Sequence, residues 1–332
     1  METSKSMRSS GINNLEIEKD KVIAEVEKNG QYDENDIFVK KWENDSDNSK
    51  FLTVISKPNS SFIGVLNGNF EREGYGLNNF ENGDQYLGNF TNDQRNKEGI
   101  YFWAPEQKDK VQLSECFFGN WKNNLKDKSG IYLWLEEPKG NDQFDVANFD
   151  AYIGEVEKDT YKRGTYLSKV GDDYYLYHGD FDPEGRKTDD DAYFYSSKND
   201  RLFHGKISRD NFVSGYVSLF DSSSGLLTDM AYCTFDKDGS VSKMVVKEEM
   251  KKNERDEEEN NITLFRNIIL EVDYFGHIYS KVKEIKKFID ENLDSTEVFD
   301  DEEKFPELVK LISDYNDNNI YNDIEKKALG QE

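Results

Sequence analysis

One short phrase recurs through the middle of this 332-residue chain and restricts its fold more than any other feature. It runs aromatic, any residue, Gly, any residue, large apolar. The copies read Phe62-Ile-Gly64-Val-Leu66, Tyr86-Leu-Gly88-Asn-Phe90, Phe117-Phe-Gly119-Asn-Trp121, Tyr152-Ile-Gly154-Glu-Val156, Tyr177-His-Gly179-Asp-Phe181 and Phe203-His-Gly205-Lys-Ile207. Six copies at intervals of 24 to 35 residues form a repeat array. Most copies carry a second half, a Gly followed by an apolar or aromatic run: Gly74-Tyr75-Gly76, Gly99-Ile-Tyr101-Phe-Trp103, Gly130-Ile-Tyr132-Leu-Trp134, Gly164-Thr-Tyr166 and Gly215-Tyr-Val217. The fifth copy departs, with Asp191-Ala192-Tyr193 where the Gly belongs.

Alternate residues of a strand share a face, so the phrase sets two large side chains and the intervening Gly on one side. The Gly leaves room for an aromatic ring, expected from the partner strand or the next copy, and lets backbones approach closely. The stretch between the halves is rich in Asn, Asp, Lys and Gly, so each copy reads as a β-hairpin. A lone hairpin is marginal in water, whereas stacked hairpins share a continuous core.

At these residues the chain resembles the MORN repeat family, whose pattern is Tyr-x-Gly-x-Trp-x-x-Gly, a short polar stretch, then Gly-x-Gly-x-Leu, often after Gly-Asp-x-Tyr. Gly119-Asn-Trp121-Lys-Asn-Asn and Gly83-Asp-Gln-Tyr86-Leu-Gly88 match closely, and Gly171-Asp-Asp-Tyr174 more loosely. The Gly three residues after the second aromatic is replaced at Asp93, Asn124, Asp159 and Asp210, and the turns look longer than the family's, which points to an irregular array. The resemblance covers about half of the chain and speaks to architecture more than to function. It implies an elongated array of stacked antiparallel hairpins. Family members include radial-spoke-head components of cilia, cortical scaffolds of protists, junctional membrane tethers, and arrays joined to lipid kinases or a lysine methyltransferase.

Three segments follow from composition. Residues 1–30 are polar and charged and read as a tail, disordered or docking; the apolar residues between Asn14 and Lys28 fit a strand or a helix equally. Residues 31–246 are the mainly β array with degenerate ends. Asp36–Trp42 and Phe51–Ile55 make its first hairpin, with Lys40 in place of the Gly, and Tyr232–Phe235 with Ser240–Val246 its last. Residues 247–332 are a charged linker and a helical segment. Leu264, Phe265, Ile268, Val272, Phe275, Tyr279, Val282 and Ile289 recur at threes and fours, the mark of an amphipathic helix capped by Asn261 or Thr263 and open to a kink at Gly276. A second helix is expected from Pro306 and a third around Ile320–Ile324. The apolar stripe of the first is too large to leave in water, so the array or another protein covers it.

The formal net charge of −25 disfavours nucleic acid and anionic membrane as partners. Aromatics make up 14% of residues against 35% apolar residues in all, which suits shallow sheets packed with Tyr and Phe. Two cysteines, Cys116 and Cys233, are too few for a secreted disulfide scaffold. No signal peptide, membrane-length apolar run or lipidation motif is visible, which leads us to expect a cytoplasmic or cytoskeletal protein. Frequent Asn and Lys with only five Pro fit an A+T-rich protist genome.

No chemistry-bearing motif stands out. There is no phosphate-cradling loop, nucleophile elbow or His-Glu-x-x-His pair. Asp189-Asp190-Asp191 lacks the spaced oxygens of a calcium loop, and Asp236-Lys-Asp238-Gly239-Ser240 has its Gly misplaced and Lys247 where the closing Glu belongs, so both read as turns. His178 and His204 share one repeat position, on the face away from the aromatics, and read as solvent-facing. The expectation is a protein without enzymatic activity, cofactor or metal site. The repeat-defining residues are Phe62, Gly64, Tyr86, Gly88, Phe117, Gly119, Trp121, Tyr152, Gly154, Tyr177, Gly179, Phe203 and Gly205. Candidate partner-binding residues are Tyr101, Trp103, Tyr132 and Trp134 on the array, and Phe265, Ile268, Val272, Phe275, Tyr279 and Val282 on the helix. With the resemblance, these lead to a scaffold that joins other proteins in a ciliary axonemal or cytoskeletal assembly, such as a radial spoke, docking through the array or the C-terminal helix. The alternatives are a membrane tether or lipid-binding array, which the charge opposes, and an array that regulates an enzyme on another chain.

Overall fold

The computed structural model describes residues 37–40, 51–57, 60–67, 69, 71–104, 115–135, 148–221, 223–247 and 257–293. The expected N-terminal tail, Trp42, and the helices from Pro306 and around Ile320 lie outside them. The fold is mainly β, a meander of consecutive antiparallel hairpins whose strand order is the chain order. Contacts divide the chain into two compact units.

The first unit holds β1 (Ile37–Lys40), β2 (Phe51–Lys57), β3 (Ser60–Leu66), β4 (Arg72–Asn79), β5 (Gln85–Thr91) and β6 (Gln94–Trp103), with residues 118–125, most of which belong to β7 (Glu115–Lys122). The second holds residues 115–117 and nearly all of β8 (Leu125–Leu135), then β9 (Asn148–Glu157), β10 (Thr160–Val170), β11 (Asp173–Asp180), β12 (Asp189–Ser196), β13 (Arg201–Ser208), β14 (Asn211–Asp221), β15 (Leu226–Phe235), β16 (Val241–Val246) and a helix, α1 (Glu257–Leu293).

Register aligns the repeat across strands. In the first unit Gly64, Gly76, Gly88 and Gly99 stand opposite one another, and beside them, on the same face, run Phe62, Asn78, Tyr86 and Tyr101. In the second unit the glycine row reads Gly130, Gly154, Gly164, Gly179, then Ala192, Gly205, Gly215, Cys233 and Met244. The ring row beside it reads Tyr132, Tyr152, Tyr166, Tyr177, Phe194, Phe203, Val217 and Ala231.

The glycines make room for a ring, but not for the one expected. It comes from the same phrase, two residues back, and lies flat over its own Gly and the facing one. A Cβ on Gly99 would sit 2.3 Å from the Tyr86 hydroxyl, and one on Gly88 2.6 Å from it; Phe62 stands as close to Gly64 and Gly76, and Tyr152 to Gly154. The hydroxyl reaches past the glycine to a carbonyl: Tyr86 Oη donates to Asn89 O at 3.0 Å, Tyr152 Oη to Glu155 O at 2.7 Å, and Tyr177 Oη to Asp180 O at 2.7 Å. Burial pushes all three phenols above their ordinary range, so they stay donors.

The turns also differ from expectation. Four hairpins close on two residues, both at positive φ: Asn92-Asp93, Asn123-Asn124, Lys158-Asp159 and Arg209-Asp210. This is the type I′ pattern, whose twist matches the strands. The second residue of each is the position where the family carries Gly, and its side chain has a use a Gly lacks. Asp93 Oδ1 accepts the Arg72 backbone N–H at 2.8 Å, and Asn124 Oδ1 that of Arg95 at 2.9 Å. Asp159 Oδ1 accepts from Lys126 at 2.9 Å, and Asp210 Oδ1 from Lys187 at 3.0 Å. The turn N–H of each returns a bond to the same residue's carbonyl, at 2.9–3.1 Å. Every turn is thus stapled to the previous hairpin, and the stapled residue is always a cation lying over rings. Arg95 sits 4.4 Å from the Trp121 centroid, Arg72 4.8 Å from Phe90, Lys126 4.6 Å from Tyr132 and Lys187 5.0 Å from Tyr166.

On the opposite face of the second unit, Leu133, Ala151, Leu167, Leu176, Tyr195, Leu202, Ser218 and Met230 form a row buried to 1% exposure or less. Helix α1 docks on its β12–β15 end. Phe265 stacks on Phe220 at 4.2 Å and meets Tyr195 edge-on at 5.5 Å. The capping role expected of Asn261 is not what the structure shows. Asn261 lies inside α1, fully buried, and its Nδ2 donates to Ser218 Oγ at 3.0 Å. Thr263 Oγ1 bonds back to Glu259 O within the helix, and α1 runs on through Gly276.

Two outcomes follow, both read from urea midpoints. Asn124→Ala, which removes the staple acceptor and strains a positive-φ corner, should cost about 1–2 kcal/mol, while Asn124→Asp, the residue used at the other three corners, should be near neutral. Lys97 holds φ 57° where β4 uses Gly74, so Lys97→Gly should stabilise by about 0.5–1 kcal/mol.

Candidate functional site

The ring row lapses near its C-terminal end. Val217 stands where β6, β8 and β10 place Tyr101, Tyr132 and Tyr166, and Ala231 where β5, β9 and β11 place Tyr86, Tyr152 and Tyr177. Two absent rings leave an open groove of about 580 Å³ on the glycine face of β11–β16. Its wall is a cluster of phenylalanines. Phe203 lies 4.6 Å from Phe212 and 6.0 Å from Phe235, and Phe194 meets Phe212 edge-on at 5.6 Å. Phe203 is buried, whereas Phe194, Phe212 and Phe235 are half-buried and present ring surface to the groove. Val241 and Met244 of β16 line the far side and are 52% and 59% exposed, among the most exposed large apolar side chains described.

Two charges lie on this lining, Arg201 and Asp229, one on either side of Leu219 in the next row. The cations Arg72, Arg95, Lys126 and Lys187 are each tied to a turn, and Arg163 is paired with Asp180 and Asp189. Arg201 is exposed and makes no ion pair or side-chain hydrogen bond among the described residues. Cys233 forms part of the floor, in the glycine row. Burial raises its thiol pKa against a smaller opposite pull from the Arg201 charge. Cys116 is fully buried, which pushes its thiol far up. Neither is an activated nucleophile.

The residues singled out in the sequence fall mostly elsewhere. Most of the repeat-defining rings lie in the ring row, and of them Phe203 alone lines the groove. Tyr101 and Tyr132 are 8% and 5% exposed, and Tyr101 Oη is bonded to Asp84. Trp103 and Trp134 are half-buried and lie on Tyr101 at 4.6 Å and on Tyr132 at 4.1 Å. On α1, Phe265, Ile268, Phe275 and Val282 are buried; the side chains of Val272 and Tyr279 lie outside the described ones. Sequence reasoning missed Phe194, Phe212, Phe235 and Arg201. A signal for the groove was present, since Val217 breaks the series Tyr101, Tyr132, Tyr166 within the repeat's own second half.

His178 does lie on the face opposite the aromatic row, but it is not solvent-facing. It stacks on Tyr193 at 4.8 Å and 8°, and its Nδ1 and the Thr165 hydroxyl share a hydrogen bond at 2.9 Å. Burial, with the nearby Arg163 charge, lowers its pKa to about 4. His204, in the same row, holds Asp191 at 2.8 Å.

The chain matches no protein-family model and no curated protein.

The His178 shift has a measurable consequence. The unfolded chain takes up this proton near pH 6.5 and the folded chain only near pH 4, so the folded state loses stability as pH falls through that window, by up to about 3 kcal/mol. Chemical denaturation at pH 7.0, 5.5 and 4.5 should show this loss in wild type and a smaller one in His178→Phe, which keeps the stack without the titrating nitrogen.

Proposed function

We propose that this chain is a non-enzymatic scaffold, a MORN-type array of hairpins that holds other proteins of a larger assembly through the groove over Val217 and Ala231. The observation that carries the reading is the local lapse of the ring row. The row that holds buried Tyr86, Tyr101, Tyr132, Tyr152 and Tyr177 elsewhere gives way here to Val217 and Ala231, and half-buried Phe194, Phe212 and Phe235 stand beside exposed Val241 and Met244. Clustered aromatic surface with an arginine at its rim is the composition of a protein-docking hot spot. Local charge agrees: residues 196–246 carry six Lys or Arg and six Asp, so this end is neutral in a chain of net −25. A neighbour can approach it without the repulsion that the whole chain exerts on acidic surfaces. The MORN-type reading is supported by the phrase itself, with Phe62, Tyr86 and Tyr152 each lying over a facing pair of glycines. From the resemblance, the assembly we propose is a ciliary axoneme or the cell cortex.

Ala231→Phe tests this reading, because it restores the ring that the repeat uses at other copies. The variant should fold with an unchanged or higher thermal midpoint. In cross-linking and affinity purification from the native cell, it should lose neighbours that wild type captures through Lys198, Lys237 and Lys243, the lysines nearest the groove in sequence. An identical set of cross-linked neighbours from both proteins would refute the groove as the docking surface.

A further inference from the structure

The groove has a shape and a charge that describe what would fill it. Its emptiness is that of missing rings: Val217 and Ala231 occupy two consecutive places in a row of aromatics. The phenylalanines around the space are set at the angles and distances at which rings meet edge to face. An aromatic side chain from outside would complete the row as Tyr166 and Phe194 do within it.

Arg201 adds the second element. It pairs in register with Leu219, two residues along β14 from Val217, which makes it the diagonal neighbour of the gap at about 7–8 Å. An extended chain advances about 6.6 Å in two residues and returns to the same face. A ring over Val217 and a group on Arg201 therefore belong to residues two apart in an extended segment. The group must be an acceptor, because the guanidinium has no carboxylate partner among the described residues. Asp229 is the diagonal neighbour of Val217 on its other side, since it also pairs with Leu219. Asp229 Oδ1 already accepts the Met230 N–H at 2.8 Å. The guanidinium is weakly hydrated and planar, and gains more from a buried carboxylate than the solvated Asp229 gains from a cation.

We propose that the groove takes an extended acidic-aromatic segment of a partner protein, with an aromatic ring over Val217 and Ala231 and a carboxylate two residues away on Arg201. The proposal rests on the scaffold reading and specifies its partner. It makes Arg201 the residue that selects the segment and the Val217–Ala231 gap the residue pair that anchors it.

The test uses the full-length chain and blocked pentapeptides, observed by ligand-detected NMR. The probe is acetyl-Gly-Asp-Gly-Trp-Gly-amide. Controls replace Asp by Lys, replace Trp by Ala, or separate Asp and Trp by three glycines. The Asp-Gly-Trp peptide should bind at least about tenfold more tightly than each control. Arg201→Glu should reverse the preference between the Asp and Lys peptides, Asp229→Asn should leave it in place, and Ala231→Phe should abolish binding with the fold intact. Tighter binding of the Lys peptide would overturn the proposal, as would binding that survives Ala231→Phe or no binding at millimolar peptide. If no peptide binds while capture of neighbours still depends on an open groove, the acidic-aromatic assignment falls and the scaffold reading stands. If capture is also indifferent to Ala231→Phe, both fall.

Discussion

A flat ring over two facing glycines sets the spacing of everything else in the array. Neither glycine tolerates a Cβ, because the space is filled to within 2.3–2.6 Å of where that atom would be. Two strands are drawn together by the pair, and the ring that covers them fixes which residue faces which. A slip by one position would set the glycines against side chains and turn the rings to the other face. Burial of the ring then calls for a partner for its hydroxyl, and the carbonyl three residues on supplies it in Tyr86, Tyr152 and Tyr177. Phe62 does the same work without the obligation.

Neighbouring hairpins are joined by a second device. One side-chain oxygen at the corner of a turn binds the backbone of the hairpin before it, and that hairpin's cation reaches over the rings between them. Polar turn, cationic stem and aromatic row therefore form one connection. At β11–β12 the connection changes: Phe181 N–H bonds to Lys162 O, and Arg163 spans Asp180 and Asp189. The copy with Ala192 in the glycine row is also the one with this altered link, so the irregularity seen in its sequence is matched by an irregularity in how it is held.

Much of this was legible because the phrase alternates with the period of a strand. Hairpins, their order and the common face of Tyr86, Gly88 and Phe90 follow from spacing alone. The turns were half legible. Asn92-Asp93 and Asn123-Asn124 carry residues that accept positive φ, whereas Lys158 and Arg209 do so only because the flanking ladder imposes it. The source of the ring over each Gly was not legible, since period two cannot tell a ring on the same strand from one across it. The place of Asn261 was hidden for a similar reason: a polar residue near a helix start reads as a cap unless its tertiary partner, here Ser218, is known. The groove is a property of absences, visible only once Val217 and Ala231 are set in the same row as the tyrosines.

The strictly sequential pairing of the strands has a mechanical consequence. In each unit a strand is bonded to the one before it and the one after it in the chain, so tension applied at an end loads the outermost ladder first and leaves the others at rest. Such a sheet yields by peeling, one strand at a time, and does not fail by all its bonds shearing together. The turn-to-hairpin staples stand across this path at regular steps, each binding a hairpin to the one already laid down. Extension would therefore proceed in increments of a hairpin, and reversal would need only the next phrase to find its pair of glycines.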